Sequence, residues 1–75
     1  MDRVEVSGSE ITVTLSPSSN LIIQNISSSN IQWSTSANST HKFVMLPNEM
    51  ISVDFNVYLS SNAAGTQYAV VGRLA

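Results

Sequence analysis

Turn-forming residues break this chain about every eight to twelve positions, and that spacing limits what it can fold into. Ser7-Gly8-Ser9, Ser16-Pro17-Ser18-Ser19-Asn20, Ser27-Ser28-Ser29-Asn30, Pro47-Asn48-Glu49 and Ser60-Ser61-Asn62-Ala63-Ala64-Gly65-Thr66 are all short polar, Gly or Pro stretches. Side chains of this kind bond their own backbone or supply unusual φ angles, so they end regular structure. No segment between them carries a 3.6-residue apolar period beyond about two helical turns. What they carry is alternation. Ile11, Val13 and Leu15 share one face while Thr12 and Thr14 share the other. Arg3-Val4-Glu5-Val6 alternates likewise, and in Met50-Ile51-Ser52-Val53-Asp54-Phe55 the residues Ile51, Val53 and Phe55 point inward. The expectation is one all-β domain over residues 1–75, a small antiparallel β-sandwich or jelly-roll-like barrel of about seven or eight short strands.

The segment from Leu21 to Trp33 is the centre of that pattern. Leu21-Ile22-Ile23 is too short for a helix and strongly β-forming. The Ser27–Asn30 run is turn chemistry, and Ile31 and Trp33 sit two apart on the returning strand. A β-hairpin is predicted, with Leu21, Ile23, Ile31 and Trp33 on its inner face and Trp33 as the anchor. Downstream, His41–Leu46 is a strand apolar on both faces, and Pro47 suits position i+1 of a tight turn. Asn56 marks a bend or bulge, and Val57-Tyr58-Leu59 is a short strand. Gln67–Leu74 is the last strand, with Gly72 as a bulge position.

A chain of 75 residues buries only about 60% of its unfolded surface, so it needs outside support. With no cysteine, disulfides and thiolate metal sites are excluded, which leaves oligomerisation or docking. Charged residues are 11% of the chain, against roughly 25% in an ordinary soluble domain. Ser, Thr and Asn replace them. Such a surface does little to hold molecules apart and suits a protein packed against neighbours; a Ser/Thr-rich sandwich with no such role has the same composition. The net charge of −2 and the scattered Arg3, Lys42 and Arg73 argue against nucleic acid as a partner. No apolar run approaches the ~20 residues that span a bilayer, so no membrane association is expected. Met1-Asp2-Arg3-Val4-Glu5 is charged and mixed in sign, unlike a signal peptide, which predicts synthesis in a cytoplasm without export.

No constellation of reactive side chains emerges. His41 is the one histidine, lies near a polar loop, and has no Gly-x-Ser-x-Gly partner motif. Asp2, Glu5, Glu10, Glu49 and Asp54 show neither helical metal-ligand spacing nor an EF-type loop. Glu49 reads as a solvated turn residue. The two Asn-x-Ser/Thr sequons, at Asn25 and Asn38, are expected by chance in so Asn- and Ser-rich a chain. Trp33, Tyr58 and Tyr68 make either a sugar-stacking platform or a core Trp with two rim tyrosines, and the second arrangement is favoured. The expectation is a non-enzyme with no cofactor and no metal.

Leu21-Ile22-Ile23-Gln24-Asn25-Ile26-Ser27, Asn30-Ile31, Leu46-Pro47-Asn48-Glu49 and Val57-Tyr58-Leu59 together resemble a small β module of tailed-bacteriophage virion proteins. In that module an apolar strand ends in a Gln-Asn-Ile-Ser-like turn, then come a Leu-Pro-Asn-Glu-like turn and a Val-Tyr strand. Gly is usual in the second turn; Asn48 stands here and also tolerates φ > 0. The resemblance implies a structural part: a capsid decoration (cement) protein, a head fibre or a small tail component. It implies residence in the virion after synthesis in the host cytoplasm, with the major capsid protein or another virion protein as partner. A homo-oligomer, trimer or dimer, is expected. The apolar side chains left over after the core is filled, Ile22, Ile26, Val44 and Leu59, are the expected contacts. The alternative is a receptor- or glycan-binding module of a tail or head fibre, with Trp33 and the tyrosines exposed.

Overall fold

The computed structural model describes residues 2–75 as eight strands with no helix. They are β1 Asp2–Val6, β2 Ile11–Val13, β3 Asn20–Asn25, β4 Ile31–Ser34, β5 Phe43–Met45, β6 Met50–Val53, β7 Val57–Ser60 and β8 Gln67–Leu74. The first sheet has the order β1-β8-β3-β6 and the second β2-β7-β4-β5. Every pairing is antiparallel. The pairs β1·β8, β2·β7, β3·β6 and β4·β5 are nested, as in one long hairpin rolled up on itself. That strand order is the double-sheet jelly roll.

Alternation fills the space between the sheets. Val6, Leu21, Ile23, Val53, Ala69 and Val71 come from the first sheet, and Val13, Ile31, Met45, Val57 and Leu59 from the second. Val4, Ile11, Leu15, Trp33 and Ile51 pack around them. The inward positions predicted for Ile11, Val13, Leu15, Ile51 and Val53 are the ones observed. Phe55 is different. The strand stops at Val53, the chain bends, and Phe55 is exposed. Just beyond it the Asn56 Oδ1 accepts the Leu15 N–H at 2.8 Å, tying this bend to the end of the β2 segment.

The central hairpin is corrected. β3 and β4 do not pair: β3 lies between β8 and β6, and β4 between β7 and β5. Leu21 and Ile23 therefore meet Ile31 across the core instead of beside it. The Ser27–Ser29 segment is a corner between sheets. Gly72 makes no bulge, since β8 keeps one register past it, with Ile22 opposite Gly72 and Ile23 opposite Val71. The Pro47 turn stands as predicted: Glu49 N–H donates to Leu46 O at 2.9 Å. Asn48 has φ 68°, the positive value that position i+2 of a type II turn requires. Glu49 is exposed yet has a structural task, because its Oε1 accepts the Leu46 N–H at 2.9 Å.

Trp33 sits at the rim of the core, half-buried, with its ring stacked on Phe43 at 4.6 Å and 29°. Its emission is expected to lie blue of an exposed indole. Phe43→Ala uncovers one ring face, so the spectrum should shift red and acrylamide quenching should increase. Unchanged quenching in that variant would mean that Phe43 does not shield the indole in solution.

Candidate assembly surface

Short connections keep β1 beside β2 and β5 beside β6, so the four edge strands form two opposite sides of the sandwich. The two sides differ in chemistry. On the first, Asp2, Arg3 and Glu5 lie on β1, and Glu10 directly precedes β2. Arg73 Nη1 approaches Asp2 Oδ2 at 3.4 Å, and the Arg3 guanidinium covers the Tyr68 ring at 4.1 Å. Charges along an edge strand discourage another strand from adding to it.

The second side lacks that protection. Phe43, Val44, Leu46 and Met50 are 58%, 48%, 54% and 56% exposed along β5, the Pro47 turn and β6. The charged residues of this stretch are Lys42, directly before β5, and Glu49, between the turn and Met50. β5 pairs only with β4, through Ile31–Met45, Gln32–Val44 and Trp33–Phe43. Its other edge has no strand beside it, and at its end Met45 O and Leu46 N–H are taken by the side chains of Asn25 and Glu49.

This side is held in shape by Asn25, which sequence reading took as part of a sequon and of a turn motif. The residue is fully buried at the end of β3. Its Nδ2 donates to Ser29 O at 2.8 Å and to Met45 O at 2.9 Å. Its Oδ1 accepts Ser27 N–H at 2.9 Å and the Ser27 hydroxyl at 2.6 Å. All four bonding positions of the amide are thus in use. The Asn25 backbone N–H donates to Glu49 O at 3.0 Å, and its carbonyl accepts from Asn48 N–H at 2.7 Å. One residue joins the β3–β4 corner, β5 and the Pro47 turn.

The four expected contact residues separate into different places. Ile22 is half-buried on the outer face of the first sheet, opposite Gly72 and Ser52. Ile26 is exposed just past β3, its N–H bonded to Tyr68 O at 3.1 Å. Val44 is exposed on β5. Leu59 is corrected: it is fully buried, because alternation along β7 turns Val57 and Leu59 inward and Tyr58 outward. Leu46 and Met50 are surface apolar residues that sequence reading did not select.

The aromatic residues do not form one platform. Trp33 faces the core rim, Tyr58 lies on the outer face of the second sheet opposite Thr12 and Ser34, and Tyr68 lies on the first sheet under Arg3. His41 is in the exposed β4–β5 loop, where its backbone N–H bonds Ser39 Oγ at 3.1 Å. Among the described residues, no three His, Asp or Glu side chains converge as cation ligands. A shallow depression of about 460 Å³ on the outer face of the second sheet is lined by Ser29, Asn30, Gln32, Val44, Asn62 and Ala63. Comparison of the chain with protein-family models, curated proteins and solved structures finds no match.

Proposed function

We propose that this chain is a non-enzymatic structural protein that works by packing against other subunits. Its specific form in this reading is a decoration protein on the outer capsid surface of a tailed bacteriophage, with the major capsid protein as partner. The observation that carries the packing role is the unprotected side: four large apolar side chains are exposed along β5, the Pro47 turn and β6, while charge collects on the opposite edge. The virion assignment rests on the sequence resemblance alone, because one fold serves many functions. Mechanically, each copy adds buried area across a joint between capsid subunits. A contact of ordinary size buries about 800 Å² per partner, and many copies act in parallel.

Co-sedimentation with purified empty heads of the source phage tests this reading. Saturable binding is expected, and Leu46→Asp and Met50→Asp should each abolish it while leaving the circular dichroism unchanged. Absence of wild-type binding, or equal binding by both variants, rejects it.

A second reading has its own observation. The side-chain amides of Asn30, Gln32 and Asn62 line the depression without an intramolecular partner among the described residues. Unpaired neutral donors and acceptors around Val44 suit a hydroxylated, uncharged ligand such as a glycan. Chemical-shift changes confined to these residues on titration with glycans of the host surface would favour it over the cement role.

A further inference from the structure

We propose that the depression on the outer face of the second sheet is a saccharide site selective for an acetamido sugar (an N-acetylhexosamine), whose acetamido group seats between Gln32, Val44 and Asn62. The inference deepens the glycan reading above and rests on it, by naming the sugar chemistry that the site selects.

Its floor and walls are fixed by bonds of the chain to itself. Gln32 and Val44 are cross-strand neighbours on β4 and β5, and Gln32 also lies opposite Ser60 on β7. One wall is the β3–β4 corner, with Ser29 and Asn30; the other is the β7–β8 loop, with Asn62 and Ala63. Buried Ser61 ties the two together. Its hydroxyl donates to Asn30 O at 3.2 Å and accepts the Ala63 N–H at 3.1 Å, and its own N–H donates to Ser7 O at 2.8 Å. Ser29 O accepts from the Asn25 amide at 2.8 Å and from the Ser27 hydroxyl at 2.9 Å. The wall backbone is thus bonded inward, which leaves the amides of Asn30, Gln32 and Asn62 for a ligand.

What is left free selects that ligand. No lining residue is charged, and Lys42, on the same face, has its Nζ bonded to Ser60 Oγ at 3.3 Å. No aromatic ring lines the depression, so a sugar is not held there by stacking. A plain hexose would press hydroxyls against Val44 and Ala63, and a polar group desolvated without a bond is unfavourable. An acetamido group removes that mismatch. Its methyl covers Val44 and Ala63, while its N–H and carbonyl match a carboxamide, which carries both donors and an acceptor. The remaining amides read ring hydroxyls. The volume of about 460 Å³ falls within the usual span of small-molecule sites. Leu46 and Met50 lie outside the lining, so sugar binding and packing against subunits use different residues.

Titration of the full chain with N,N′-diacetylchitobiose, followed by backbone amide NMR spectra, is the test, with cellobiose as the matched disaccharide lacking acetamido groups. Saturable shifts at Asn30, Gln32, Val44 and Asn62 are expected with the first sugar, and binding of the second should be at least about tenfold weaker. In saturation-transfer spectra the acetyl methyl protons should receive more saturation than the ring protons. Gln32→Ala should weaken chitobiose binding about tenfold with an unchanged melting curve. Should Gln32→Ala fail to fold, Asn62→Ala, in an exposed loop, asks the same question. Leu46→Asp should bind the sugar as wild type does. Equal binding of the two disaccharides overturns the acetamido selection and leaves the glycan reading standing. Absence of these shifts with both sugars at millimolar concentration overturns the site, and if host-surface glycans also fail to shift these residues, the glycan reading falls with it. N-acetylalanine methylamide binding as tightly as chitobiose would make this a peptide site and overturn the proposal as well.

Discussion

Asn25→Ala will remove a large share of the domain's stability. The substitution removes the amide on which four hydrogen bonds converge at one buried point: Met45 O and Ser29 O lose a donor and Ser27 N–H loses its acceptor, while the Ser27 hydroxyl keeps Ser29 O within reach at 2.9 Å. A buried polar group left without a partner costs about 1–3 kcal/mol. Ser27 and Ser29 are half-buried and regain some bonds to water, so the total is about 3–6 kcal/mol. A domain of 75 residues has roughly 4–11 kcal/mol of stability in all. For so small a domain the melting midpoint should fall by about 15–30 °C. Thermal denaturation followed by circular dichroism reads this directly. A drop of only a few degrees would mean that the corner between β3 and β4 is not held by this amide.

Asn25→Asp gives the same result a chemical signature. The shape is kept, but an oxygen replaces the nitrogen that faces two carbonyls. Burial and those carbonyls both disfavour a negative charge, so the folded-state pKa of the new carboxyl rises above the ~3.9 of an unfolded aspartate. In that window the folded state holds the proton and the unfolded state does not. Stability of the variant is therefore greatest below the unfolded pKa and falls as pH rises through the folded one. The aspartate chain should melt higher at pH 4 than at pH 7, relative to wild type at the same pH. A variant whose deficit is the same at both would place residue 25 in water.

The alternation that sets this fold is written plainly in the chain. Ile11 and Val13, Leu21 and Ile23, and Ile51 and Val53 all face the core as a period of two requires. Period alone says which residues share a face, not which strand lies alongside. That is why β3 and β4 read as a hairpin although each has better partners elsewhere: β3 is flanked by β8 and β6 over most of its length. Asn25 continues the series Leu21, Ile23 onto the core face, and a polar residue at such a position signals a bonded network. The signal was legible; its partner Met45, twenty positions away, was not. Phe55 fails for the opposite reason, since alternation was carried past the point where the strand ends.

The unprotected side needed the topology. Charge crowds the first ten residues visibly, as Asp2, Arg3, Glu5 and Glu10. Nothing local says that β1 and β5 become edges on opposite sides, or that Leu46 and Met50 flank the turn that joins two edges. The same ignorance of neighbours made Leu59 look spare. Its short run, Val57-Tyr58-Leu59, gives the inward pair Val57 and Leu59 once β7 is known to be central between β2 and β4.

That position leads to the second large effect: Leu59→Ala should cost about 2–5 kcal/mol, the usual range for a buried leucine cut to alanine. Leu59 is fully buried, with Ile11 opposite on β2 and Trp33 opposite on β4. Both neighbours pack against the same core, so the vacated volume lies between two strands whose hydrogen bonds keep them from closing in. Val44→Ala removes a partly exposed side chain and should change monomer stability by no more than about 0.5 kcal/mol. Urea unfolding of the two variants separates core from surface. The Leu59→Ala midpoint should fall far below that of wild type with little change in slope, because the surface exposed on unfolding is nearly the same. If instead Leu59→Ala unfolds like wild type, then β7 presents its other face to the core and Tyr58 is the buried residue.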